Sequence, residues 1–170
     1  MKTPLFFAVT LLFFSLNSCS KKNSDDVTPN DKREGTISMQ INGTTWSGEC
    51  GAVDAKIGSQ TNVSIVGYKD GKTAKGNDGI VITISGFTGT GNYSATSHEG
   101  SSISVVYNGI TYSNDKKATV QPVVKITEGN LPTTPLGPGK VAGEFNASLR
   151  NPTEGFIEIT NCKFQTTDIL

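Results

Sequence analysis

Apolar and polar residues alternate through most of residues 35–170, and the period is two rather than the longer period of a helix. Roughly ten short runs of this kind follow one another, with turn residues about every 8 to 12 positions. The pattern predicts an all-β fold. The leading architecture is an antiparallel β-sandwich of roughly 8–10 short strands, and the alternative is a closed or partly open, lipocalin-like β-barrel.

Two Asn-Gly dipeptides, Asn42-Gly43 and Asn108-Gly109, give the strongest hairpin signals in the chain. A two-residue turn at each position fixes which residues face each other across the hairpin. The predicted pairs are Ile41 with Thr44, Met39 with Trp46, Gly35 with Cys50, Tyr107 with Ile110, Val105 with Tyr112 and Ile103 with Asn114. Trp46 and Cys50 are therefore expected on one apolar face.

Further segments with the same alternation predict half-buried strands. Their apolar residues are Val53, Ala55 and Ile57; Val63 and Ile65; Ile80, Ile82 and Ile84; Val120, Val124 and Ile126; Val141, Phe145, Ala147 and Leu149; and Ile157 and Ile159. The sequence GFTGTGNYS, residues 86–94, lacks the helix and lysine of a phosphate-binding loop. Its glycines are assigned to backbone geometry, with Tyr93 at the edge of the core.

The first 18 residues have the layout of a secretory signal peptide, because Lys2 precedes a short apolar segment from Pro4 to Leu16. The segment ends in Leu16-Asn17-Ser18-Cys19, which resembles the lipobox of bacterial lipoproteins. The resemblance implies that cleavage falls after Ser18, that the Cys19 thiol receives a diacylglycerol, and that the new amino group is acylated. A conventional cleaved signal and a short transmembrane anchor are the alternatives.

Residues 19–34 comprise the lipidated cysteine and a tether with four basic and four acidic residues, in which Val27 is the one clear apolar group. Such a segment cannot bury apolar surface, so a disordered, solvated tether is expected. Asp25-Asp26 resembles the surface-export signals of some Bacteroidota lipoproteins. The expected location is the outer membrane, held through the N-terminal lipid, with the surface-exposed and periplasmic faces both open.

Residues 35–170 are expected to form a single β domain, because their number suits one hydrophobic core. The whole chain carries 15 basic and 15 acidic residues, so its charge does not favour nucleic acid as a partner. Partners are then recognised by shape and a few polar groups. The expected partner besides the membrane is a glycan or another envelope protein.

The number of cysteines predicts a disulfide between Cys50 and Cys162, because lipidation of Cys19 leaves these two and the envelope is oxidising. The alternative is two separate buried thiols. Ile157 and Ile159 have opposite parity from Cys162 in the last strand. If all of them face inward, a β-bulge must lie near Thr160-Asn161.

Three segments of the domain read INGTTW near its start, ISGFTGTGNYSAT in the middle and VAGEFNASLRNPTEGFIEITNCKF at the end. Together they resemble a family of uncharacterised all-β lipoproteins of Bacteroidota, a domain of unknown function. The resemblance covers most of the domain. It implies a fold and a compartment, and it brings no catalytic residues. Where glycine is commoner in that family, this chain has Cys162.

No motif in the chain predicts catalysis, a metal site or a cofactor. His98 is the single histidine and lies in a polar segment beside Glu99 without a Gly-x-Ser-x-Gly motif, so a solvated loop histidine is the expectation. Asp70, Asn77 and Asp78 could offer oxygen ligands to calcium, but their sequence is typical of turns. The chain is therefore expected not to be an enzyme.

Two loops are candidate binding sites. One spans residues 128–140, is rich in proline and glycine, and includes Leu131, Pro132, Thr133, Thr134 and Pro135. The other contains His98 and Glu99. A plain crossover connection is the alternative for the first loop. The leading functional hypothesis is a non-catalytic binding or structural module; a barrel that carries a small apolar ligand is second, and a hydrolase is third.

Overall fold

The structure, a computed structural model, describes residues 35–69, 78–96, 100–132 and 139–166. All of these residues belong to one compact unit, Lys32–Leu170. The predicted signal peptide and tether, with Cys19 and Asp25-Asp26, lie outside the described residues.

Ten strands make up the described chain, and every pair of neighbouring strands is antiparallel. They are β1 (Gly35–Ile41), β2 (Thr44–Ile57), β3 (Gln60–Tyr68), β4 (Gly79–Ile84), β5 (Gly91–Ser94), β6 (Ser102–Tyr107), β7 (Ile110–Asn114), β8 (Val123–Asn130), β9 (Lys140–Asn151) and β10 (Gly155–Thr166).

The sheet closes on itself because β10 pairs with β1 on one edge and with β9 on the other. The closed circuit runs through β1, β2, β3, β4, β6, β7, β9 and β10, and forms an eight-stranded antiparallel barrel. The all-β antiparallel prediction is confirmed. Between the two predicted architectures, the strand pairing matches the closed barrel.

Strands β7 and β8 occupy the same place in the sheet, one after the other along β9. Both pair with the edge of β9 that faces away from β10, β7 through Ser113 opposite Arg150 and β8 through Lys125 opposite Glu144. Strand β5 pairs with β8, as β6 pairs with β7. Just beyond this pairing, the N–H of Ala95, which follows β5, donates to the carbonyl of Pro122, which precedes β8, at 2.9 Å.

Both Asn-Gly hairpins form as predicted. Asn42 and Asn108 have φ values of 48° and 52°, and the glycine after each also has a positive φ, as the tight hairpin turn requires. Five of the six predicted pairs are paired in register. In place of the sixth pair, the Asn114 side-chain oxygen accepts a hydrogen bond from the N–H of Ile103 at 3.0 Å.

The predicted bulge in the last strand is present. The pairing of β10 with β9 shifts between Ile159 and Cys162, and Asn161 has a φ of 54°. Ile159 is 1% exposed and Cys162 is 0% exposed, so both parts of β10 point inward. The extra residue of the bulge lets the side chain of Cys162 point inward, although its position along the strand has the opposite parity from Ile159.

Side chains from every strand of the closed barrel fill its interior. One buried example from each strand in chain order is Ile37, Trp46, Ile65, Ile82, Ile103, Tyr112, Leu149 and Ile159. An eight-stranded barrel is just wide enough for such side chains to fill it. Val124 and Ile126 of β8 extend the same core, and Tyr93 packs at its edge as predicted.

The apolar residues in the second half of β2 lie on the outer face, not on the core face. Val53 is 44% exposed and Ile57 is 68% exposed. The register with β3 continues without a shift, so the inward parity of Cys50 and Ala52 is kept to the end of the strand. Val120 likewise lies outside the strands and is 41% exposed.

Candidate functional site

The predicted disulfide between Cys50 and Cys162 is not present in the structure, and both side chains are buried. Cys50 lies opposite Gly35, and the next residue of β1, Thr36, lies opposite Gln165. Cys50 is therefore level with the end of β10, four positions beyond Cys162. At about 3.3 Å per residue this offset is about 13 Å along the strand, longer than the Cα spacing of a disulfide.

Burial raises the pKa of the Cys162 thiol well above its ordinary value, and the Cys50 thiol raises it further. Both side chains point into the same apolar interior, where a thiolate would be poorly solvated. The Cys50 thiol instead donates to the carbonyl of Gln165 at 3.6 Å. Both thiols are therefore structural and unreactive in the folded barrel.

The predicted binding loops are described only in part. Leu131 is half-buried and packs against the core, and Pro132 follows it. His98, Glu99, Thr133, Thr134 and Pro135 lie outside the described residues, as do Asp70 and Asn77. Asp78 serves in turn structure, because its carboxylate accepts the N–H of Asn108 at 2.7 Å.

A groove on the outer face of the barrel runs across β1, β10, β9 and β8, and we call it the β9 groove. Its first lobe has a volume of about 320 Å³, and the side chains on its rim are Thr36, Ser38, Thr127, Ala142 and Gln165. Its second lobe has a volume of about 330 Å³, with Val123, Lys125, Asn146 and Asn161. Glu144 and Lys163 line both lobes, so the two are contiguous.

A charged cluster stands between the two lobes. The ammonium of Lys125 donates to a carboxylate oxygen of Glu144 at 2.9 Å. This hydrogen bond, the positive charge of Lys125 and, more weakly, that of Lys163 lower the pKa of Glu144 below 4.5. Two cations around one anion leave the centre of the groove with one net positive charge at neutral pH.

The second lobe depends on the bulge in β10. The Asn146 side-chain oxygen of β9 accepts the N–H of Asn161 at 2.8 Å, so the backbone donor released by the bulge is satisfied. The bulge separates the neighbouring backbones and turns Asn161 outward. Its local geometry thereby contributes to the depression lined by Val123 and Lys163.

Close backbone packing under the first lobe requires glycine at position 143. A Cβ at Gly143 would lie 2.6 Å from the carbonyl oxygen of Lys125 and 2.7 Å from the ring of Phe164. The absence of a side chain lets Phe164 and Ile126 approach each other across β9 inside the barrel. Sequence patterns did not predict this groove, because alternation does not indicate which outward residues of β1, β8, β9 and β10 become neighbours.

Among the described residues, no group of three or more His, Cys, Asp or Glu side chains could hold a metal ion. The described segments also include no helix that is long and apolar enough to cross a membrane. Three buried polar atoms have no hydrogen-bond partner within the described structure: the indole N–H of Trp46, which is only 3% exposed, and the hydroxyls of Ser148 and Thr166.

No known protein family matches this chain, and no curated protein or solved structure matches it either. The assignment of a function therefore depends on the residues and geometry described above.

Proposed function

We propose that the chain is a lipid-anchored, non-catalytic binding module of the bacterial cell envelope, held at the outer membrane through Cys19. The filled interior of the barrel is the observation that carries the proposal. Because buried apolar side chains from all eight strands of the closed barrel point into its interior, the proposal places ligand recognition on the outside of the barrel. The β9 groove is the binding surface in this proposal.

The lining of the β9 groove suits a polar, extended ligand such as a glycan. Thr36, Ser38 and Gln165 line the first lobe, and their hydroxyl and amide groups both donate and accept hydrogen bonds. Lys163 adds a cation between the lobes. Each lobe is about 320 to 330 Å³, so two contiguous lobes suit a chain of sugar residues better than one compact ligand.

A glycan array tests this groove directly. The wild-type protein is compared with a Lys163→Ala/Gln165→Ala variant, which removes two groove side chains. The matched control is Lys116→Ala/Gln60→Ala, in which both residues are exposed and neither lines the groove. We expect the groove variant to lose the glycan signal and the control to keep it. Equal signals from both variants, or no glycan signal while an envelope protein is captured through the groove, would overturn the glycan assignment.

The anchor is tested by growing cells with an alkyne-tagged fatty acid and detecting the tag on the protein. The full chain is expected to carry the tag, and Cys19→Ala is expected to lose it. Cys50→Ala is the matched control, since the Cys50 thiol is buried in the barrel. If the full chain carries no tag, or if Cys19→Ala keeps it, the lipid-anchor proposal fails.

A carrier of a small apolar ligand is the second candidate function, and one observation favours it. The indole N–H of Trp46 points from the barrel wall into the buried core without a partner within the described structure. Ligand pockets are lined mostly by apolar side chains with a few polar groups, and the indole N–H of Trp46 would be one of them. The packed side chains around Trp46 favour the binding module, because they leave no need for a ligand to complete the core.

A further inference from the structure

The second lobe of the β9 groove presents a side chain whose hydrogen-bond donors have a fixed direction. The side-chain oxygen of Asn146 accepts the backbone N–H of Asn161 at 2.8 Å. Because an amide carries its oxygen and its NH2 group on the same carbon, this bond fixes the position of the NH2 group as well. No hydrogen bond within the described residues uses that NH2 group. Its two N–H donors are therefore available to a ligand in the second lobe.

Lys163 brings a positive charge to the same lobe. It lies opposite Glu144 in the sheet, and Glu144 in turn lies opposite Lys125. The carboxylate of Glu144 already accepts a hydrogen bond from Lys125 at 2.9 Å, and Lys163 acts on it only through its charge. Within the described part of the chain, Lys163 makes no ion pair. Its ammonium group is therefore free to contact a ligand.

The two lobes differ in the charges around them. Among the described residues that line the second lobe, Glu144 is the one acidic side chain, and the others besides the two lysines are Val123, Phe145, Asn146, Asn161 and Cys162. Beside the first lobe, the exposed Glu49 lies opposite Thr36, which lines that lobe. The second lobe is therefore the more favourable of the two for a negatively charged group.

We propose that the second lobe binds a carboxylate of the glycan, so that the β9 groove is specific for acidic saccharides that contain a uronic acid. This inference rests on the glycan-binding function proposed above. A carboxylate only accepts hydrogen bonds, whereas the ammonium of Lys163 and the NH2 group of Asn146 only donate them. Hydrogen bonds to a charged group are stronger than those between neutral groups. A neutral sugar would gain no ionic interaction from Lys163.

A glycan array printed in two versions tests the chemical class of the ligand. One version carries native glycans, and in the other version the carboxylates are converted to methylamides, which removes their charge. The full chain purified in detergent is expected to bind glycans with a uronic acid on the native array and to lose that signal on the amidated array. Equal signals on both versions would overturn the carboxylate assignment and leave glycan binding in place. No signal on either version would overturn the glycan-binding function itself.

Titration of the acidic glycan with the strongest array signal tests the role of Lys163. Lys163→Gln removes the charge and is expected to bind roughly tenfold more weakly, whereas Lys163→Arg is expected to bind like the wild type. Lys140→Gln is the matched control, because it changes the net charge equally and lines neither lobe. Equal affinities of Lys163→Gln and Lys140→Gln would contradict a carboxylate site beside Lys163.

Asn146→Asp tests the donors of the second lobe without removing the contact to the bulge. The new carboxylate can still accept the N–H of Asn161, but it replaces the NH2 donors with a negative charge. We expect its urea unfolding to stay close to that of the wild type, and its affinity for the acidic glycan to fall further than that of Lys163→Gln. A folded Asn146→Asp protein with the affinity of the wild type would overturn the proposal.

Discussion

The side-chain oxygen of Asn146 accepts the backbone N–H of Asn161 at 2.8 Å, at the position where β10 carries its extra residue. The bulge at this contact affects both the packing of the core and the shape of the outer surface. The extra residue lets Ile159 and Cys162 both face the core, and it also lines the second lobe of the β9 groove. One asparagine pair therefore supports the fold and the candidate binding site together.

The left-handed backbone of Asn161 predicts a specific order of stability among variants. Asn161→Val is expected to lower the free energy of unfolding by roughly 1–2 kcal/mol, because a branched side chain is strained at a φ of 54°. Asn161→Gly relieves that strain and is expected to be close to the wild type. Urea unfolding followed by the fluorescence of Trp46 measures both; equal losses would show that the backbone conformation is not the cause.

Local sequence signals predicted much of the strand pairing. An Asn-Gly dipeptide favours a two-residue turn through its local backbone preference alone. The turns at Asn42-Gly43 and Asn108-Gly109 therefore allowed the pairing of Met39 with Trp46 and of Val105 with Tyr112 to be predicted. The bulge could be predicted as well, because the change of parity between Ile159 and Cys162 has few other solutions.

Long-range features could not be predicted in the same way. The choice of barrel over sandwich depends on β1 pairing with β10, between segments more than 100 residues apart, and no local pattern encodes that contact. The β9 groove depends on polar residues such as Ser38 and Lys163 meeting across strands. Alternation indicates that they face outward, but it does not indicate which outward residues become neighbours.

The buried thiols predict a two-stage labelling pattern with a maleimide reagent. In the folded protein, Cys50 and Cys162 are expected to remain unlabelled, because both are 0% exposed and burial raises the pKa of Cys162. Unfolding in denaturant without a reducing agent should then give two labels by mass spectrometry. No labels after unfolding would show that the two cysteines are bridged in the isolated protein.

The inward position of Ile82 in β4 and the outward position of Ile57 in β2 predict very different costs for truncating the two side chains. Ile82→Ala removes a fully buried side chain and is expected to lower the free energy of unfolding by about 2–5 kcal/mol. Ile57→Ala makes the same chemical change at a side chain that is 68% exposed, and a change within about 0.5 kcal/mol is expected. Similar costs at both positions in urea unfolding would contradict the described inward and outward faces.

The charged cluster in the β9 groove predicts a titration. The pKa of Glu144 is expected below 4.5, chiefly because Lys125 donates a hydrogen bond to it. Because the pKa of Glu144 is lower in the folded than in the unfolded state, this pair stabilises the fold at pH values above the unfolded pKa. The stabilisation is lost as the pH falls through the folded pKa. Lys125→Gln should raise the pKa of Glu144 toward 4.5, and Lys140→Gln should not. Carboxyl NMR shifts measure both, and an unchanged value in Lys125→Gln would contradict the assignment.

Dye fluorescence excited through the single tryptophan distinguishes binding outside the barrel from binding inside it. Trp46 is buried in the interior, so an apolar naphthylamine dye that entered the barrel would receive its excitation energy. Binding on the outside predicts no saturable energy transfer from Trp46 to a dye in the interior of the folded protein. Saturable transfer at one dye per chain that is abolished by unfolding, but kept in Val53→Lys and Val123→Lys variants of the exposed outer face, would show instead that the barrel carries a ligand inside.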